Sequence, residues 1–207
     1  MPADKSLSFY GLLYHRLLDP LLAPVRRAAV DLVPEGSSVL DIACGTGQLC
    51  FELREKRQCR VVGVDLSLRM LEFARSANTS AEVSFLHRDA TDLAGIGDGT
   101  FDWATVVLLV HELPLEQRVR VLHEAARVAR VVLVIDAAAP LPRRPMGLAI
   151  RAVEYTVGHD HRHHFNDFLT RGGIMGLLDE SGDAASVATR LPFLQDCREA
   201  VVMRPQR

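Results

Sequence analysis

No stretch of the chain approaches the roughly 20 consecutive apolar residues that a helix needs to cross a bilayer. A membrane partner is therefore not expected. The chain also opens without a basic segment followed by an apolar signal core. Charge of neither sign is in excess: 24 Lys and Arg stand against 26 Asp and Glu, a formal net charge of -2. That balance gives no electrostatic reason to expect a nucleic-acid partner, and the pairs Arg26-Arg27 and Arg143-Arg144 read as solvated helix faces. Cys44, Cys50, Cys59 and Cys197 show no Cys-x-x-Cys spacing and read as reduced, mostly buried thiols. Repeats and low-complexity tracts are missing too. Together these absences set the expectation of a soluble, cytoplasmic, globular protein. Its 207 residues, 48% of them hydrophobic, suffice for one domain with a full core.

What is present centres on residues 39 to 50. The apolar run Val39-Leu40-Asp41-Ile42 leads into Ala43-Cys44-Gly45-Thr46-Gly47 and then a helical pattern from Gln48. This reads as strand, tight turn and helix, the opening unit of a nucleotide-binding α/β fold. Glycine in the turn accepts positive φ and lets a ligand lie against the backbone, while the helix start offers N–H groups without helical partners. A dinucleotide-binding loop wants a third glycine three positions after the second; here that position is Cys50. Asp41, four residues before Gly45, would also set a negative charge against a pyrophosphate. A cationic ligand suits it better.

Strands and helices then alternate. Residues 60 to 65 form a strand that is apolar on both faces and ends in Asp65, 18 residues beyond Gly47. An acid at about that spacing accepts hydrogen bonds from both ribose hydroxyls. A helix is expected from Leu66 to Arg75, strands over 83 to 90, 101 to 110 and 131 to 136, and an amphipathic helix over 115 to 130 with Val119, Leu122, Ala126 and Ala129 on one face. Before the glycine turn, Asp19-Pro20 and Pro24 divide residues 8 to 33 into two short helices, the second from Pro24. After residue 140 come helices near 146 to 157, 165 to 169 and 174 to 180. Strands over 185 to 191 and 198 to 203 follow, with Pro192 in the turn between them. The order implies a doubly wound, mostly parallel α/β sheet with ligands outside the carboxyl ends of its strands. Asp41, Asp65, Asp89, His111 and Asp136 all fall at or just beyond such ends.

Val39 to Gly47 resembles motif I of the class I S-adenosylmethionine (SAM)-dependent methyltransferases. Leu66 to Arg75 is similar to that family's D-x-S-x-x-M-L-x-x-A stretch, and Phe101 to Leu113 to its F-D-x-V…L-H-x-L stretch. The match is good over residues 39 to 136 and holds only in outline beyond. The resemblance implies a seven-stranded Rossmann-like sheet with a C-terminal antiparallel hairpin, SAM as cofactor and S-adenosylhomocysteine as product. Asp41, Ala43, Cys44, Gly45, Thr46 and Gly47 would form the turn around the amino-acid end of SAM, and Asp65 would hold the ribose. Leu66 and Met70 would lie against the adenine, with Asp89 and Ala90 reading its edge. Main-chain groups near Val107 would face the methionine end, and Tyr10 or Tyr14 would line the cleft. One domain over 1–207 is expected: a helical prelude (1–35), a cofactor-binding core (36–139), a helical acceptor-pocket region (140–183) and terminal strands (184–207).

Four of the eight histidines lie at 159, 161, 163 and 164. Their spacing converges poorly on one point, so no metal site is expected. His111, His159 and His161 are the candidate acid–base residues, as an O or N acceptor can need a base. No Asn/Asp-Pro-Pro-Tyr/Phe stretch, the mark of amino-methylating enzymes, follows the fourth strand; Val110 to Pro114 stand there instead. A small-molecule acceptor is expected, with the acceptor itself and the oligomeric state open. The competing readings are an NAD-dependent oxidoreductase on the same topology and a SAM-binding protein without transfer activity.

Overall fold

A computed structural model describes residues 19–182 and 186–205, with side chains from residue 22 onward. Tyr10 and Tyr14 lie outside the described residues. The elements, in chain order, are α1 (Asp19–Leu32), β1 (Ser38–Ile42), α2 (Gln48–Arg57), β2 (Arg60–Asp65), α3 (Leu68–Ala77), β3 (Val83–His87) and β4 (Phe101–Val107). A 3-10 turn (Val110–Glu112) leads to α4 (Leu115–Val128), β5 (Ala129–Ala137), α5 (Pro145–Thr156), α6 (His159–Thr170), α7 (Gly173–Ser181), β6 (Val187–Phe193) and β7 (Arg198–Met203).

The strands form one seven-stranded sheet in the order β3-β2-β1-β4-β5-β7-β6. The first five run parallel, and β7 joins β5 and β6 antiparallel. The order reverses between β1 and β4, which opens a crevice at their carboxyl ends. Apolar side chains cover both faces of the central strands. On β5, Val132 and Val134 pack on one side with α4, α6 and α7, while Leu133 and Ile135 pack on the other with α1, α2 and α3. Two-sided burial is why these strands read as unbroken apolar runs.

Four sequence expectations are corrected. Helix α1 runs through Pro24 without a break; the proline is exposed, in the second turn of the helix, and removes one backbone hydrogen bond there. The buried face of α4 is Arg118, Val121, Leu122, Ala125 and Val128; of the expected stripe it keeps Leu122, while Val119, Ala126 and Ala129 give way to residues one position earlier. The register was hidden because a core position is held by arginine. The helix expected over 165 to 169 begins earlier, at His159, so that histidines 159 to 164 form its opening turns. Pro192 lies within β6, paired with Glu199; as β6 is the sheet edge, its missing N–H breaks no ladder bond on the open side.

Candidate functional site

The crevice between β1 and β4 holds a cavity of about 390 Å³, within the range of small-molecule sites. It gathers Asp41, Ala43, Cys44, Gly45, Thr46, Asp65, Met70 and Val107 from the sequence-based set. The turn after β1 is shaped by backbone rather than side chains. Ala43, Gly45 and Gly47 have φ of 59°, 54° and 77°, and a Cβ on Gly45 would meet nothing within 4 Å, so the peptide there is bare toward the cavity. Gly47 does a different job. It starts α2, and a Cβ there would come within 2.7 Å of the Phe85 ring. Gly47 is thus a packing glycine outside the lining. Leu108, also on the cavity wall, is a second non-glycine residue in the left-handed region, at φ 56°. Such conformations cost on the order of 1 kcal/mol or more each, and cluster at ligand sites.

Asp41 is 3% exposed. Thr105, its neighbour in register on β4, donates its hydroxyl to Oδ1 at 2.7 Å, and the Cys50 thiol donates to Oδ2 at 3.3 Å. Burial pushes the Asp41 carboxyl up to about 6, against the pull of those two hydrogen bonds. Burial, with Cys44 and Asp41 alongside, drives the Cys50 thiol well above its usual range. Asp65 ties the two loops together: Oδ2 accepts the Gly45 N–H at 2.8 Å and Oδ1 accepts the Ser67 N–H at 2.8 Å. Ser67, not Asp65, caps α3, its hydroxyl accepting the Met70 N–H. Three carboxylates, Asp41, Asp65 and Glu112, line the cavity; the cation in its lining, Arg26, bonds Glu52 at 2.7 Å.

Leu66, Asp89 and Ala90 stand outside the cavity lining. Leu66 is 64% exposed, at the carboxyl end of β2, and its carbonyl lies 2.9 Å from His87 Nε2 at the end of β3. Asp89 is exposed, its Oδ1 accepting the Thr91 N–H and hydroxyl at 2.8 Å each. Ala90 packs against the core. The wall residues that sequence reasoning passed over are Leu22 and Val25 of α1, Gln48 and Leu49 at the start of α2, Ser67, Leu109 and Glu112, and Arg26 of α1, read as a solvated helix face, is a wall residue with its side chain 13% exposed. Leu22, Val25 and Arg26 belong to no motif; only the packing of α1 beside α2 brings them to the crevice.

The candidate histidines separate. His111 is 3% exposed in the 3-10 turn. Its Nδ1 lies 2.7 Å from Asp136 Oδ1 and its Nε2 3.5 Å from Glu154 Oε2. His161, from α6, meets the same Glu154 oxygen at 2.7 Å and stacks edge-on against His111 with centroids 5.5 Å apart. Burial pulls the His111 imidazole down, but the Asp136 and Glu154 carboxylates outweigh it and hold it up to about 10. Burial likewise raises Glu154, yet its bond to His111 brings it to about 2. His159 is apart from this cluster; its side chain is 82% exposed, with Asp160 at 3.3 Å. Buried Arg118 docks α6 onto the 3-10 turn by donating to the Leu113 and His164 carbonyls and to Asp167. His111, His159 and His161 are all outside the cavity lining.

A strand order of this kind, a bare peptide turn after β1 and an acid closing β2 define the class I SAM-dependent methyltransferase fold. Residues 39–131 match the family described as Methyltransferase domain. The chain is similar to an O-methyltransferase of Aspergillus nomiae, 34% identical over 116 residues, which take in 52% of this chain and 51% of that one. It is also similar to the demethylmenaquinone methyltransferase of Thermus thermophilus, 36% identical over 136 residues, 61% of this chain and 59% of that one. The matches thus span about half the length of these curated relatives. Among solved structures, the fold is shared with a SAM-dependent methyltransferase from Aquifex aeolicus (TM-score 0.62, 18% identity, 88% of this chain and 89% of that one). It is shared also with an O-methyltransferase family protein from Burkholderia thailandensis (TM-score 0.69, 16% identity, 99% and 61%). Among the described residues, no helix is long and apolar enough to cross a membrane.

Proposed function

We propose that the chain transfers the methyl group of SAM to a small-molecule acceptor. The observation that carries this reading is Asp41: a buried carboxylate on the cavity wall, answered among the described residues by a hydroxyl and a thiol but by no cation. An unpaired buried charge is costly, and a ligand cation removes that cost. SAM supplies an ammonium and, on its sulfonium, an already activated methyl group. The residues then act by binding and alignment. Asp41 balances the positive end of the cofactor, the glycine at 45 leaves room for it against the turn, and the opening turn of α2 receives its carboxylate. Asp65 keeps lone pairs beyond those used by Gly45 and Ser67, and these accept the ribose hydroxyls. Exposed Leu66 and the neighbouring Asp89-Ala90 loop form a shelf for adenine, with Met70 on the wall. The same charge pattern disfavours NAD, whose pyrophosphate would face Asp41.

The acceptor is a small molecule, a reading supported by relatives named for O-methylation and for demethylmenaquinone. Residues 140–183 form its rim in this assignment. None of His111, His159 and His161 lines the cavity, so proton removal is not assigned to them. The test is calorimetric titration with SAM and with NAD, followed by turnover to S-adenosylhomocysteine on phenol, amine, thiol and quinol-like acceptors. SAM binding with turnover is expected; binding of NAD alone would overturn the assignment, and SAM binding without turnover on any acceptor would leave a binding protein.

A further inference from the structure

Beside the cofactor cavity, the geometry points to a site for one divalent transition-metal ion held by His111, Glu154 and His161. The three side chains come from three elements: the 3-10 turn after β4, helix α5 and helix α6. Their donor atoms all lie within 4.8 Å of one another, with Glu154 Oε2 at 2.7 Å from His161 Nε2 and 3.5 Å from His111 Nε2. A tetrahedral ion with bonds of about 2.0–2.1 Å sets its ligand atoms about 3.4 Å apart. The two distances from Glu154 Oε2, 2.7 and 3.5 Å, bracket that separation.

Two features beyond the three ligands support this assignment. The first is the setting of His111. Its Nδ1 is engaged by Asp136, whose own oxygens accept the His111 and Ala137 N–H groups at 3.3 and 2.6 Å. Asp136 thereby fixes the ring and turns Nε2 toward Glu154, the carboxylate–histidine arrangement that supports metal-bound imidazoles. The second is charge. Glu112 and Glu154 act on both histidines and Asp136 on His111, and among the described residues the cation beside them is Arg198, 4.0 Å from Asp136 and 3.9 Å from Glu154. Arg118 is taken up by Asp167. With neutral imidazoles the cluster holds two negative charges in excess, and a divalent ion restores neutrality. Two imidazoles and one carboxylate select zinc, cobalt, nickel or ferrous iron over magnesium or calcium. The ion displaces the proton that otherwise sits between His111 and its carboxylates.

The test uses the full chain, without a polyhistidine tag and stripped with chelator. Zn²⁺ is titrated by calorimetry and Co²⁺ by its visible absorption, and thermal unfolding is followed with and without Zn²⁺. One equivalent is expected, with the absorption of four-coordinate Co²⁺ and a rise in Tm. His161→Ala and Glu154→Gln should each lower affinity at least tenfold and abolish the Tm rise. Thermal unfolding of the metal-free variants verifies that they fold. A double variant, His159→Ala with His163→Ala, should keep the full equivalent. No binding by the wild-type chain, or binding lost in the double variant but kept in His161→Ala, would overturn the site and leave surface histidines only. SAM affinity is measured in parallel and is independent of either result.

Discussion

Two buried aspartates mark the carboxyl ends of two central strands, and their surroundings differ. Asp41 ends β1 on the cavity wall, and its partners among the described residues, Thr105 and Cys50, are neutral. Asp136 ends β5 behind the wall and is met by His111 at 2.7 Å and by Arg198 at 4.0 Å. A compensated carboxylate belongs to the protein's own packing. One left without a cation is held ready for something else. The difference therefore separates a binding device from a positioning one on the same sheet.

The sharpest way to break the comparison is Asp136→Ala. It strips the partner from a buried histidine and a buried arginine, and losing one side of such a pair costs about 3–5 kcal/mol. Urea unfolding should register that loss; a variant as stable as the parent would mean that Asp136 compensates nothing. Asp41→Asn should act in the opposite sense. The folded carboxyl sits at about 6, above the unfolded value near 3.9, so the folded state binds the extra proton. Stability from this group is then present below about pH 4 and is lost as pH rises through 6, on the order of 3 kcal/mol in all. At neutral pH the amide should stabilise the ligand-free protein by a similar amount while weakening SAM. A destabilised Asn variant that still binds SAM normally would sink both halves of the reading.

Asp65→Ala should weaken SAM by about 1–3 kcal/mol, the range for hydrogen bonds to a charged group. Unchanged affinity in calorimetry would take Asp65 out of the site. A finer test is the pH dependence of SAM affinity. Ligand cations bind the ionised Asp41, so affinity should climb as pH rises from 5 through about 6 and level off near 7, by no more than about tenfold per unit. A flat profile would show that Asp41 does not meet the cation. Smallest of all, Ala43→Gly relieves a left-handed alanine and should change stability by no more than about 1 kcal/mol in a thermal melt.

Much of the cofactor side was legible in the chain because its parts are close in sequence. Asp41 to Gly47 form a single turn, and Asp65 reaches that turn through one crossover, closing on the Gly45 N–H. Period and spacing report such local units well. The histidine cluster was read less well. The stretch from His159 to His164 was judged on its own spacing, whereas His161 converges on His111, fifty residues earlier in the chain, through a glutamate of a third element. Arg118 shows the same effect: as a charged residue in a core position, it shifted the face of α4 and docked α6 where the two rings meet.

The amino-acid sequence by itself determined the alternation of strand and helix, the bare turn after β1 and the acids that close the parallel strands. Each of these follows from backbone freedom and from burial patterns repeating every two or 3.6 residues. Only the tertiary structure decided which acids find a cation, which histidines meet and which helix walls the cavity. Those outcomes depend on how whole elements pack against one another, and the free energy of a buried charge is set by neighbours that sequence distance does not reveal.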